Sequence, residues 1–391
     1  MACCNNANDA NSCKTALHEN KEIAVEESVK EYYGKTLQTR DDLKTTACAL
    51  TAKMSPRVKE AMKLIHEEVI LRNYGCGMPF PECEDGCNVL DLGSGTGRDA
   101  FVLSKLVGPT GTVVGVDMTP EQLAVANEYI DYHMSKFGYS KTNVEFKKGF
   151  LEDLSGAGIQ DDFFDIIVSN CVINLCKDKA AALSEAFRVL KTGGEIFFSD
   201  IYSNKEIPAD AQKDKEAWGE CLSGALFWKD LHRICEELGF SPPILVSSKT
   251  FQISDERIKS LLGEQIRFFL KIKGMISMNY CLPLFADDVK FVSATYRFFK
   301  PGNNDADAAS VTYRGTIRDN EDNFVFGKGI LFPKGTPVAV DAQLANILKS
   351  SRYSAHFEIK ELDEDSIETA LKINAKNPFC GAESAEGSGC C

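Results

Sequence analysis

Apolar and polar positions follow two different periods along this chain, and the period switches at regular intervals between residues 88 and 239. Strands fit at 88–92, 112–117, 143–147, 164–170 and 194–200, short stretches that carry apolar residues. Between them, 97–107, 120–137, 178–190 and 228–238 space their apolar residues three and four apart, as one face of a helix does. This alternation predicts an α/β unit, a parallel sheet with helices on both faces. Upstream, 21–37 predicts a helix with Val25, Val29 and Tyr32 or Tyr33 on one side. A second helix opens at Ser55-Pro56, a cap and first-turn pair, and carries Val58, Met62, Ile65 and Val69 at helical spacing toward a stop near Gly75. Residues 291–299, Phe-Val-Ser-Ala-Thr-Tyr-Arg-Phe-Phe, alternate and predict a late strand.

These elements divide the chain. Residues 1–20 form a polar, cysteine-containing head, and 21–87 an N-terminal helical segment. Residues 88–240 form the α/β core, and 241–300 a region holding the late strand. After Pro301-Gly302-Asn303-Asn304, a linker, 301–391 holds a small α+β appendage and a Gly/Ser/Cys tail.

Composition narrows the function classes. A net charge of −13 over 391 residues argues against a nucleic-acid partner, which needs a basic face. The start, Met1-Ala2-Cys3-Cys4-Asn5, has neither the basic nor the apolar part of a secretory signal, and no uncharged apolar stretch is long enough to span a membrane. The expectation is a cytoplasmic monomer whose fifteen cysteines stay reduced. Zinc is not signalled. Cys83 and Cys87 enclose three residues and Cys171 and Cys176 four, and the five histidines are scattered.

The chemistry begins at 89–99, Val-Leu-Asp-Leu-Gly-Ser-Gly-Thr-Gly-Arg-Asp. A strand ends at Leu92, and Gly93, Gly95 and Gly97 turn the chain into a helix whose free N–H groups and dipole suit a carboxylate. A dinucleotide fingerprint needs glycine at position 98, where Arg98 stands. Asp91 instead precedes the loop, and the next strand ends in Asp117, placed to accept ribose hydroxyls. Such parts suit S-adenosyl-L-methionine (SAM). Together with Leu190-Lys191-Thr192-Gly193-Gly194, the arrangement resembles the class I SAM-dependent methyltransferases. That likeness implies a Rossmann-like sheet and cofactor contacts from Asp91, Gly93, Ser94, Gly95, Thr96, Gly97 and Asp117.

A closer resemblance rests on four segments: Asn-Tyr-Gly-Cys-Gly (73–77), Asp-Leu-Gly-Ser-Gly-Thr-Gly-Arg-Asp (91–99), Ser-Asn-Cys-Val-Ile-Asn-Leu (169–175) and Trp-Gly-Glu-Cys-Leu-Ser-Gly-Ala-Leu (218–226). They are similar to those of the animal-type arsenite SAM-dependent methyltransferases over about residues 25–300. Thr-Thr-Ala-Cys (45–48) matches the family's first cysteine in position, with Ala47 where glycine is usual. The resemblance implies that Cys171 and Cys221 hold arsenic throughout the cycle and that Cys48 and Cys76 join for binding and reduction. It further implies SAM contacts from Asp117, Met118, Leu151, Glu152 and Asn170, with Tyr74 covering the sulfonium end. The substrate would be a trivalent arsenic–thiol adduct. The co-substrate would be a thiol reductant, glutathione or thioredoxin. Two rivals stay open on the residues alone: a methyltransferase for an organic acceptor, and a thiol-rich arsenic-binding protein without turnover.

One stretch departs from the family. Residues 264–290 separate Leu262-Gly263 from the strand at Phe291, where the family runs almost directly on. They could be a surface insertion, an amphipathic helix for a partner or a membrane surface, or a translated intron.

Overall fold

The protein is represented by a computed structural model that describes residues 26–37, 42, 54–251, 253, 255–264, 289–302, 307–362 and 368–381. Cys48, nearly all of the 264–290 stretch and both cysteine-bearing termini lie outside the described residues.

The five expected strands of the core pair in parallel. β1 (Asn88–Leu92), β2 (Thr112–Asp117), β3 (Val144–Lys148), β4 (Phe164–Asn170) and β5 (Leu190–Ser203) lie in the order β3-β2-β1-β4-β5. A two-residue strand, β6 (Leu226–Phe227), adds to the end of β5. Successive residues serve opposite faces, as a pleated strand requires. Val89, Val113 and Ile166 pack under the helix Arg98–Val107, while Leu90, Val114 and Ile167 pack with the helices Lys179–Val189 and Trp228–Leu238.

The sheet is nevertheless mixed, not wholly parallel. β7 (Ile244–Thr250) is a strand that the apolar pattern does not single out, and β8 (Phe291–Phe299) inserts between β5 and β7, antiparallel to both. All nine residues of β8 are buried, so its alternation is not one of core against solvent. Its polar residues are buried for bonding. Ser293 Oγ donates to the Cys76 carbonyl at 3.1 Å, and Thr295 shares a hydrogen bond with Ser199 at 2.7 Å. Arg297 meets Glu195 and, at 2.9 Å, Glu82.

Two expected helices are broken. The one opened by Ser55, whose Oγ accepts from Val58 N, stops at Met62 and restarts as Glu67–Leu71 behind His66, whose Nδ1 accepts from Glu68 N. The run 120–137 divides into Pro120–Glu128 and Ile130–Phe137. At the join, His133 Nδ1 lies 2.7 Å from the Tyr129 carbonyl that its own N–H also reaches.

Beyond the core, β9 (Ala309–Tyr313), β12 (Pro337–Val340) and β13 (Phe357–Glu361) form a three-stranded sheet. β10 (Asn323–Gly327) and β11 (Ile330–Pro333) form a hairpin, and a helix spans Ala342–Ser350. This α+β unit packs its apolar side onto Ile244 and Phe299 of the large sheet. Arg352 joins Arg297 on the same buried Glu195 carboxylate. No helix among the described residues is long and apolar enough to cross a membrane.

Candidate active site

Strand order reverses between β1 and β4, and in open α/β sheets the crevice at the strand ends beside such a switch is where ligands bind. A cleft opens there. Its walls are the loop after β1, the ends of β2 and β4, the 72–75 stretch and the N-terminal segment 26–36.

The glycine loop is built as the motif requires. Gly93, Gly95 and Gly97 have φ of 70°, 53° and 86°. A Cβ on Gly93 would stand 2.4 Å from Val172, which itself lines the cleft. Gly97 serves packing instead: its Cβ would strike Phe146 at 2.6 Å, and it does not line the cleft. Asp117 closes the loop from below, accepting from Gly95 N at 2.9 Å and from Thr119 N at 2.8 Å.

Three buried polar atoms in the cleft wall have no hydrogen-bond partner among the described residues: Asp91 Oδ2, Ser94 Oγ and Gln122 Oε1. Burial raises the Asp91 carboxyl well above the usual carboxylate range, and the neighbouring Asp99 adds to the rise. Burial raises Asp117 as well. A wall of buried, unsatisfied carboxyl, hydroxyl and amide groups fits a ligand that brings an ammonium, a carboxylate and sugar hydroxyls.

The cleft wall also carries sulfur, at Cys171. Cys171 sits one residue beyond β4, as its place in the sequence implies, and Cys76 is joined to it by a disulfide with a Cα–Cα separation of 5.9 Å. Two of the fifteen thiols are therefore oxidised in this structure, Cys76 with Cys171, while Cys48 lies outside the described residues. The partner follows from how the 73–77 loop is seated. Asn170 Oδ1 accepts from Gly77 N at 3.0 Å, and its Nδ2 donates to Gly77 O at 3.1 Å and to Asp99 at 2.8 Å. A Cβ on Gly75 would lie 2.4 Å from Asn170 Nδ2, and one on Gly77 2.4 Å from Ser199 Oγ. The two glycines let the loop lie flat on the sheet end, which delivers the sulfur between them to Cys171.

Cys221 completes the cluster. It follows the helix Lys215–Gly219 and directs its Sγ at the Cys171 carbonyl, 3.2 Å away. Cys171 and Cys221 have φ of 59° and 61°, a left-handed backbone that side chains rarely adopt and that concentrates at functional sites. An Asp200 carboxylate oxygen and the sulfurs of Cys76 and Cys171 lie within 4.8 Å of one another. Asp200 is fully buried and burial raises it to about 7, against donations from Ile201 N and Asn174 N.

Of the other expected cofactor residues, Tyr74, Asp91, Gly93, Ser94, Gly95, Thr96, Asp117, Met118, Leu151 and Asn170 line the cleft. Glu152 does not; its carboxylate accepts from Lys177 N at 3.1 Å. Arg98 turns its guanidinium onto Asp99, 2.7 Å away, and is buried. Tyr33, Thr119 and Gln122 line the cleft without having been signalled. Their only trace in the sequence is position, on a helix face or just past Asp117.

Comparisons with known proteins agree with this geometry. Residues 83–239 match the model of a methyltransferase domain, and 306–391 match that of an arsenite methyltransferase C-terminal domain. The chain is 41% identical to the arsenite methyltransferase of Mus musculus over 370 residues, covering 93% of this chain and 92% of that one. It is 42% identical to the arsenite methyltransferase of Aquipseudomonas alcaligenes, covering 85% of this chain and 90% of that one. Among solved structures, an arsenic(III) S-adenosylmethionine methyltransferase from Chlamydomonas reinhardtii superposes with a TM-score of 0.70 at 36% identity, over 80% of this chain and 98% of that one.

Proposed function

This chain belongs to the arsenite methyltransferase family and is a SAM-dependent enzyme, and from that premise we propose that it methylates trivalent arsenic seated on Cys76, Cys171 and Cys221. The observation that carries the reading is the convergence of these three cysteines, 145 positions apart at the extremes (221 − 76), around Cys171, which itself lines the cofactor cleft.

SAM, when bound, supplies an electrophilic methyl group on a sulfonium. Asp91 meets its ammonium, Asp117 its ribose hydroxyls, and the N–H groups of the glycine loop its carboxylate. Met118 and Leu151 offer apolar faces to the adenine, and Tyr74 screens the sulfonium end from water. Cys171 and Cys221 orient arsenic toward the cleft. Trivalent arsenic is soft and takes thiolates. Held by three of them, it keeps one lone pair, which forms the As–C bond as the methyl–sulfonium bond breaks and its electron pair stays on the departing sulfur. The step needs no general base, so these residues act by positioning and by excluding water.

Arsenic is formally oxidised by two electrons in that step. Cys76 and Cys171 return them by closing to a disulfide, which leaves methylated As(III) on Cys221 for an external thiolate to complete. The Cys76–Cys171 bond is the product such a step would leave. Cys48, which the family resemblance pairs with Cys76, then attacks the Cys76 sulfur, forming a new disulfide and releasing the Cys171 thiolate. A thiol reductant, glutathione or thioredoxin, then opens that bond by exchange. Repetition gives methyl- and then dimethylarsenicals.

X-ray absorption at the arsenic edge tests the seat. Reduced protein with one equivalent of arsenite should show three sulfur neighbours and Cys221→Ser fewer. A first shell of oxygen in the wild type would rule the seat out.

A further inference from the structure

The N-terminal segment 26–36 touches both halves of the site. Its last turn, Tyr32–Thr36, closes with Leu37 N on Tyr32 O at 2.9 Å. On the cofactor side, Tyr33 lines the cleft with its ring 5.7 Å from that of Tyr74, and its carbonyl accepts from Gln122 Nε2 at 2.9 Å. Gln122 is buried, and its Oε1 has no partner among the described residues. On the sulfur side, Tyr33 Oη donates to Gly219 O at 2.7 Å, and Tyr32 Oη donates to Glu220 at 2.6 Å. These are the two residues before Cys221. The contacts are close at both ends. A Cβ on Gly219 would lie 2.7 Å from the Tyr32 ring, and one on Gly34 3.1 Å from Glu121.

We infer that Tyr33, with Tyr32 beside it, is a positioning residue that couples the cofactor cleft to the Cys221 loop. A cofactor group that donates to Gln122 Oε1 fixes Gln122, which fixes the Tyr33 carbonyl. The same tyrosine then holds Gly219, and so the turn that puts Cys221 in its left-handed backbone. The ordering cost of this segment is met once, by whichever ligand arrives first, so the second binds more tightly. This rests on the reading that Cys221 holds arsenic. Linkage requires the effect to be reciprocal: arsenite tightens cofactor binding by the same factor.

The experiment uses phosphine-reduced full-length protein and S-adenosylhomocysteine, which cannot turn over. Arsenite affinity is measured by equilibrium dialysis with and without that ligand, and the ligand's own affinity with and without arsenite. Wild type should bind arsenite at least about fivefold more tightly in its presence, the lower end of usual coupling. Tyr33→Phe should weaken the factor, and Tyr32→Phe/Tyr33→Phe should bring it to one while each ligand alone still binds. A factor of one in wild type, or one undiminished in the double variant, overturns the coupling and leaves the arsenic reading intact. Arsenite affinity unchanged in Cys221→Ser would remove that reading, and the coupling with it.

Discussion

Cys76 is held by what its neighbours lack. Gly75 and Gly77 allow Asn170 and Ser199 to approach where any side chain would collide. Gly75→Ala should therefore cost about 1–3 kcal/mol through overpacking, read as a lower urea midpoint, and should lose methyl transfer as Cys76 moves off Cys171. Asp200 adds a pH dependence. Its carboxyl is raised from an ordinary value of 3.8 to about 7, so the folded state holds a proton that the unfolded state has already released. The sign follows from proton linkage: its contribution to stability is complete below pH 4 and is lost as pH rises to 7. Urea midpoints at stepped pH should fall less steeply over that window in Asp200→Asn than in wild type; parallel curves would refute the assignment. At this scale the sequence was readable where a motif is local, as in the glycine loop and the cysteine after β4. It was not readable where a long-range contact decides. The partner of Cys76 depends on Asn170, 93 positions beyond Gly77, seating the 73–77 loop.

Elements follow the same division. β1, β2 and β4 are mostly apolar runs buried on both faces, and their pattern shows directly in the sequence, whereas the edge strand β3, Val-Glu-Phe-Lys-Lys, buries only Val144. β7 escaped because its second half, Ser-Ser-Lys-Thr, is polar. The antiparallel place of β8 escaped because alternation reports a strand's faces and not its direction. The helix breaks at 63–66 and at Tyr129 depend on histidine side chains that satisfy backbone groups. Arg297 is the sharpest test at this level. It is fully buried between Glu195, Glu82 and Tyr353, so Arg297→Met leaves Glu195 with one cation fewer. Removing one partner of such a pair costs about 3–5 kcal/mol, and the loss should be seen in the chemical unfolding of the full chain.

Across the whole molecule, the α+β unit after residue 306 meets the SAM-binding core through apolar packing that includes Ile244 and Phe299 and through an ion cluster at Glu195. β8, which carries Arg297, also carries the Ser293 that holds the Cys76 carbonyl. The appendage thus braces the strand against which the sulfur loop rests. Deleting 301–391 should lower the thermal midpoint and weaken arsenite binding more than cofactor binding, as dialysis of each ligand would read; equal losses would contradict the brace. The appendage was visible in the sequence as a composition break at Pro301-Gly302. Its bracing role depends on Arg352 reaching back 157 positions to Glu195, which no local pattern carries.

The central claim is methyl transfer to arsenic from a thiolate seat, and product speciation tests it most directly. Purified protein is given arsenite, excess glutathione and SAM labelled in its methyl group, with Cys221→Ser alongside at matched cofactor occupancy. The account expects labelled methyl- and dimethylarsenicals from wild type and at least about a hundredfold less from the variant, as loss of a positioning contact at the reacting atom implies. Methylated arsenic from Cys221→Ser at the wild-type rate would contradict it.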